Sequence, residues 1–310
     1  MISNTNLISM SEYISFKKEE DQLFIQIYSD IHIEINRILP NIKPLAKYLF
    51  LAGNICMLNH PLFFKFLDYC SPLWTKIFYT PGNHEFYSNK SNYNALDFEY
   101  DLKIKSRYKN IFYLNRKAVP LNDNIDVYGS VFWTNELNIS DSYIDNDSRS
   151  INQFSEIKKH NIPIDKKFIK CLSNDDFTHL SGYLNSTNKS KKIIIITHFP
   201  PTQDGTMSVN QTQEFKNYNA WNNILDPLNL TNVIAWISGH THWSYNLTYE
   251  QNEASVLESR EKINNYPFMN NKKVKLSNNI IKLLSNQIGY KNEFGLTGFS
   301  EQGLFDIKFK

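Results

Sequence analysis

Short apolar runs recur along the chain, each broken by Gly, Pro, Asp or Asn. Residues 23–29 (LFIQIYS), 47–52 (KYLFLA) and 76–79 are rich in β-branched and aromatic residues and predict buried strands. Asp30, Gly53 and the Pro81-Gly82 pair stop them. Between the second and third, residues 60–71 predict a short amphipathic helix entered by Pro61. Further along, 111–114 and 125–132 predict strands, the latter with a break at Gly129. The clearest strand is 193–197, followed by 233–238, and 278–285 and 304–309 resemble closing strands. Strands alternating with helical stretches predict an α/β class.

The polar stretches complete the outline. Residues 1–21 are aperiodic and predict a solvated leader, and residues 22–310 a single domain, since neither an internal repeat nor a Gly/Ser linker divides them. Residues 137–190 are polar with weak helical periodicity, which predicts a helical layer or partial cap. Residues 201–220 predict a long loop and 251–275 a charged, Asn-rich excursion.

Composition narrows the function classes. With 41% hydrophobic and 14% aromatic residues among 310, the chain can bury a core and is not of the disordered class. Its 33 basic and 31 acidic residues leave a net charge of +2, so bulk charge does not drive it onto nucleic acid or anionic membrane. The Lys pairs at 158–159, 166–167 and 191–192 form no dense basic stripe interleaved with aromatics, so nucleic acid is not indicated. The longest aliphatic run, 193–196, is too short to span a bilayer, and the N-terminus has no basic-then-apolar signal pattern. Cys56, Cys70 and Cys171 are odd in number and lack CxxC spacing. That argues against a disulfide framework and a thiolate metal site, and a cytoplasmic location is expected.

The candidate chemistry sits where the strands end. The first strand releases Asp30-x-His32, the second Gly53-Asn54 and the third Gly82-Asn83-His84-Glu85. Strand 193–197 releases His198, and 233–238 releases Gly239-His240-Thr241-His242. Open α/β sheets place their ligand sites beyond strand C-termini. Five of the chain's eight histidines and three of its ten glycines fall in these loops, a clustering that chance does not supply. Residues two apart in extended backbone point the same way, which pairs Asp30 with His32 and His240 with His242. Nitrogen and oxygen donors without thiolate suit Mn, Fe, Zn or Mg, with Mn favoured. So many donors exceed the needs of one ion. Two ions about 3.5–4 Å apart, sharing a water, would fit and would generate hydroxide at neutral pH.

The ordered set DxH, GN, GNHE, H and GHTH resembles the calcineurin-like metallophosphoesterase superfamily. Residues 128–133 (YGSVFW) and 285–290 (SNQIGY) extend the likeness to its small stand-alone branch. The resemblance implies two β-sheets packed as a sandwich flanked by helices, a four-layer αββα fold. It implies a metal-dependent phosphoesterase that hydrolyses a phosphomonoester or phosphodiester by attack of a metal-bound hydroxide on a small substrate. Asp30, His32 and His242 would hold a first metal, and Asn83, His198 and His240 a second. Asn83 and His84 would meet the phosphate, and His84 would protonate the leaving group.

Asn54 departs from that pattern, which has a metal-bridging aspartate there. Asn54 stays a candidate metal ligand, since an amide oxygen can ligate a metal, but it is neutral and a poor bridge, so one more positive charge goes uncompensated between the ions. The expected consequence is a weaker second metal, or a need for an extra anion such as phosphate. The alternative is a phosphoesterase fold without turnover that serves as a binding scaffold for a protein partner or an anion.

Other residues receive plainer readings. Glu34 and Glu85 are expected to orient loops or ligating histidines. Arg149 is a candidate phosphate partner, because a guanidinium forks onto phosphate oxygens. Phe86 and Tyr87 are expected against the sheet edge, Trp133 and Trp221 in the core, Cys56 as a small buried hydrophobe, and His60, His160 and His179 at caps or the surface. Substrate choice would lie in the apparent loops 86–110, 134–165 and 201–222, which carry no signature.

Overall fold

A computed structural model of the chain describes residues 22–87, 93–134, 158–159, 162–163, 166–188, 190–208, 222–251 and 279–309. Its strands are β1 (Gln22–Tyr28), β2 (Tyr48–Ala52), β3 (Lys76–Thr80), β4 (Ile111–Tyr113), β5 (Lys117–Pro120), β6 (Ile125–Ser130), β7 (Lys158–Lys159), β8 (Ile162–Pro163), β9 (Lys192–Thr197), β10 (Val233–Ile237), β11 (Tyr245–Gln251), β12 (Asn279–Ser285) and β13 (Leu304–Lys308). Its α-helices are α1 (Ile33–Asn36), α2 (Pro61–Cys70), α3 (Tyr93–Arg107) and α4 (Lys166–Ser186).

One sheet has five strands in the order β13-β1-β2-β3-β4, and the other has six in the order β11-β12-β10-β9-β6-β5. The central pairs β1-β2, β2-β3, β6-β9, β9-β10 and β10-β12 are parallel. The edge pairs β1-β13, β5-β6 and β11-β12 are antiparallel. Parallel strands need cover on both faces, which is why they read as continuous apolar runs.

The period-two alternation shows which cover each face receives. Ile25, Ile27, Phe50, Ala52 and Phe78 of the first sheet meet Ile194, Ile196, Ala235 and Ile237 of the second in one core between them. Leu49, Leu51, Ile77 and Tyr79 turn outward onto Phe63, Phe66 and Leu67 of α2 and onto Leu96, Tyr100 and Ile104 of α3. Ile193, Ile195 and Trp236 turn onto Phe177, Leu180 and Leu184 of α4. The layers therefore run helix, sheet, sheet, helix, as the family resemblance implied.

Some elements differ from the sequence expectation. The helix α3 lies within 86–110, which reads as loop. Its buried Tyr93, Leu96, Tyr100 and Ile104 do follow helical spacing, but the exposed Phe98 and Leu102 blur the stripe. Strands β5 and β11 are edges with alternating or mostly exposed positions, so neither is an apolar run. β6 ends at Ser130 rather than 132, because Phe132 turns into left-handed backbone at φ 57°. The helical layer expected over 137–190 is present as α4 in its second half. Residues 1–21, 137–157 and most of 251–275, with Arg149, His160 and Trp221, lie outside the described residues. Among the described residues no helix is long and apolar enough to cross a membrane.

Candidate metal centre

The C-terminal ends of β1, β2 and β3 lie beside those of β9 and β10, and the five motif loops meet there. Backbone strain concentrates at the same place. Asp30, His32, Asn54, His240 and His242 all have φ between 47° and 75°, a region that side chains avoid without compensation. The expected pairings therefore form by another route than extended backbone. Asp30 and His32 converge through left-handed turns. His240 and His242 do not point together, and each serves a different half of the site.

The first half joins Asp30, His32 and His242. His32 Nε2 lies 3.0 Å from His242 Nε2, and Asp30 Oδ1 lies 3.8 Å and 3.6 Å from these two atoms. His242 Nδ1 meets the Glu293 carboxylate at 2.6 Å, which leaves Nε2 as the inward atom. Burial would lower the His242 pKa, but the Glu293 bond and the nearby Asp30 outweigh it and raise the value. His32 is fully buried, and burial together with neighbouring His84 pushes its pKa down to about 3.

The second half joins Asn83, His198 and His240. His198 Nε2 lies 3.0 Å from Asn83 Oδ1 and 3.2 Å from His240 Nδ1. His198 Nδ1 faces the Ala52 carbonyl at 2.9 Å, a pure acceptor, so Nδ1 carries the proton. Burial holds the ring neutral by lowering its pKa to about 4, and it drives His240 well down too. Asn83 Nδ2 donates to the Tyr87 hydroxyl at 2.7 Å, which fixes Asn83 Oδ1 inward. His198 Nε2 and Asn83 Oδ1 thus face each other lone pair to lone pair. Two acceptors this close with no proton between them call for a cation. The donor sets of both halves fit divalent metal.

Asn54 sits between the halves. Its Nδ2 donates to Asp30 Oδ1 at 3.3 Å, and its Oδ1 accepts from the His84 N–H at 3.0 Å. Gly82 must lack a side chain here, because a Cβ on it would lie 2.3 Å from Asn54 Oδ1.

The family model for calcineurin-like phosphoesterases matches residues 25–244, the stretch that carries all five loops. The chain belongs to the calcineurin-like phosphoesterase family. Uncharacterized protein L509 of Acanthamoeba polyphaga mimivirus is 30% identical over 241 residues, covering 72% of this chain and 83% of that protein. The crystal structure of phosphopantetheinyl hydrolase (PptH) from Mycobacterium tuberculosis superposes with a TM-score of 0.62 over 92% of this chain and 96% of that one. At 11% identity that likeness is one of fold. Phosphoesterases of this family generally use divalent metals, in keeping with the donors gathered here.

The groups that orient the phosphoesterase site were only partly foreseeable. Glu34 orients a histidine as expected: its Oε1 lies 3.2 Å from His84 Nδ1 and 3.7 Å from His32 Nδ1. Burial would raise the Glu34 pKa, but the nearby His32 and His84 rings outweigh it and bring it to about 2. Glu85 ties loops together, its two oxygens accepting from the N–H groups of Asn54, Ile55 and Gly82 and from the Tyr79 hydroxyl. Even so, burial raises its pKa to about 7. Tyr87 is more than packing at a sheet edge, since its ring lies 4.4 Å from that of His84 and its hydroxyl holds Asn83. Trp133 and Cys56 are buried, as expected, and His60 caps α2 by accepting from Leu62 N–H.

Glu293 carried no sequence signal for a role, and Tyr290 only its place in the 285–290 stretch. Tyr290 packs against the rings of His32 and His242 at 4.5 Å and 4.7 Å. Residues 285–290 explain their place in the motif set by pinning two loops. Gly289 N–H donates to the Asp30 carbonyl, while the Gln287 side chain donates to Thr241 Oγ1 and to the Trp243 carbonyl.

Proposed function

We propose that the chain is a metal-dependent hydrolase of small phosphate esters, monoester or diester. The observation that carries the reading is the convergence of Asp30, His32 and His242 with Asn83, His198 and His240 on two sides of one site. Divalent ions held there, Mn among them, would supply Lewis acidity toward water and phosphate oxygens.

The chain's own residues contribute orientation and proton transfer. Asn83, locked by Tyr87, presents a fixed oxygen. His84 retains 8% exposure while His32 and His198 have none, and unlike the partly exposed His240 and His242 it stands outside both donor sets, which leaves its ring free to meet an incoming group. Glu34 engages its Nδ1, and Nε2 lies 3.5 Å from the Tyr290 hydroxyl at the outer rim. During hydrolysis water forms a new P–O bond while the ester P–O bond breaks. The departing oxygen takes a proton, which His84 Nε2 would give on this reading. Replacing His84 by Ala should lower kcat for phenyl phosphate, whose poor leaving group needs the proton, by about 100-fold, within the usual range for general acid–base catalysis, with Mn²⁺ content unchanged by elemental analysis. Unchanged kcat at equal metal content would remove His84 from this role.

A second reading is favoured by Asn54, whose amide already satisfies Asp30. On that reading the site binds an anion or a protein partner without turnover, and hydrolysis would be absent in the native chain and gained in Asn54→Asp. Arg149 as a phosphate contact and a cytoplasmic location remain part of the proposal.

A further inference from the structure

We infer that Asn54 is not a bridging ligand but a lock that makes metal loading stepwise: one resident ion beside Asp30, and a second that enters only with an anion. The inference rests on the proposed metal centre and adds the order in which it fills.

The argument starts from what flanks the amide. On one side is the His84 N–H, a donor, and on the other is Asp30 Oδ1, a carboxylate acceptor. These neighbours dictate the orientation, with oxygen to the N–H and nitrogen to the carboxylate. Reversing the amide would set NH₂ against N–H and oxygen against carboxylate, so both contacts turn repulsive. The group that Asn54 presents toward Asp30 is therefore an NH₂, which has no lone pair to give a metal, and its single oxygen is turned to the His84 N–H, so the amide has no second donor atom with which to link the two halves.

The charge distribution follows. Asp30 is the single carboxylate among the six residues of the two halves, and it lies in the first. The second half, Asn83, His198 and His240, offers one amide oxygen and two imidazoles, which are neutral donors whenever they give a lone pair to a metal. A dication in the first half meets an anionic ligand. A second dication would meet neutral donors and the repulsion of the first, with no shared carboxylate between them. An anion placed between the halves supplies the missing charge. Inorganic phosphate, which carries the oxyanion group that any phosphoester shares, has that chemistry.

An aspartate at position 54 would remove the need for the anion. Its second oxygen would face Asp30 at the place now held by NH₂, and two carboxylates in contact are relieved by cations.

The test is equilibrium dialysis of the metal-stripped full chain against Mn²⁺, read as ions per chain, with and without inorganic phosphate. The expected result is one ion alone, two with phosphate, and two without phosphate in Asn54→Asp. Asn83→Ala should hold one ion in both conditions. Two ions in the native chain without phosphate would overturn the inference, and so would one ion with phosphate present. If Asn54→Asp fails to fold, the native comparison decides alone. Binding is read without turnover, so a chain that loads stepwise and hydrolyses nothing would sink the hydrolase reading and leave this inference standing.

Discussion

The two halves of the site use similar donors and are held by unlike means. In the first, His242 leans on the Glu293 carboxylate and His32 lies near Glu34, with Asp30 as an anionic donor. In the second, His198 leans on a backbone carbonyl and Asn83 on a phenol. The first half is thus ringed by carboxylates and the second by neutral dipoles. Of the four rings in the two halves only His242, bonded to Glu293, has its pKa raised, while burial lowers His32 in the same half as it lowers His198 and His240 in the other. A histidine that leans on a carboxylate becomes a more basic donor, whereas one that leans on a carbonyl gains a fixed tautomer and little charge.

That contrast can be broken one half at a time. The largest effect is expected from Glu293→Gln, which keeps shape and removes the charge behind His242. Resident Mn²⁺ should bind about 10–100-fold more weakly, measured by calorimetry, while the phosphate-dependent ion keeps its dependence on phosphate. Equal weakening of both ions would contradict the separation. Tyr87→Phe is the matching change in the second half. It removes the acceptor that fixes Asn83 and should cost the second ion about 10-fold, the lower end of the range for lost orienting partners. The resident ion should be untouched.

The smallest effect is expected from pH acting on the metal-free chain. His32 and His198 have folded pKa values near 3 and 4, below the ordinary histidine value, and His240 shifts the same way. The unfolded chain then binds more protons, so their stabilisation is full above about pH 6.5 and lost as pH falls toward 4. Glu85 has the opposite sign, because its folded value near 7 lies above the ordinary one. Its contribution is full below about 4.5 and lost as pH rises through 7. Asp97 and Asp176 are raised by burial like Glu85, so the histidine share is read by difference: from pH 6.5 to 4 the native chain should lose more melting temperature than His198→Asn. Equal losses in the two chains would contradict the protonation state assigned to His198.

The sequence showed the parts of this molecule whose signal is local. Strands buried on both faces are apolar runs, so β1, β2, β3, β9 and β10 were legible, and the loops they release carry the donors in short motifs. Elements half exposed to solvent were not legible: α3 hides its stripe behind Phe98 and Leu102, and β5 and β11 alternate at sheet edges. Glu293 was invisible for a different reason. It reaches His242 from 51 residues away, through a turn shaped by Gly289 at φ 77°, where a Cβ would lie 2.8 Å from the Glu293 carboxylate. The direction of the Asn54 amide also needed the structure, since only the facing of the His84 N–H and Asp30 sets it.

The most direct measurement is hydrolysis of bis-p-nitrophenyl phosphate by the native chain across a Mn²⁺ titration. The account predicts turnover that is absent without metal and rises with Mn²⁺. No turnover at any Mn²⁺ concentration, in a chain shown to bind the ion, would contradict the hydrolase and leave the binding scaffold in its place.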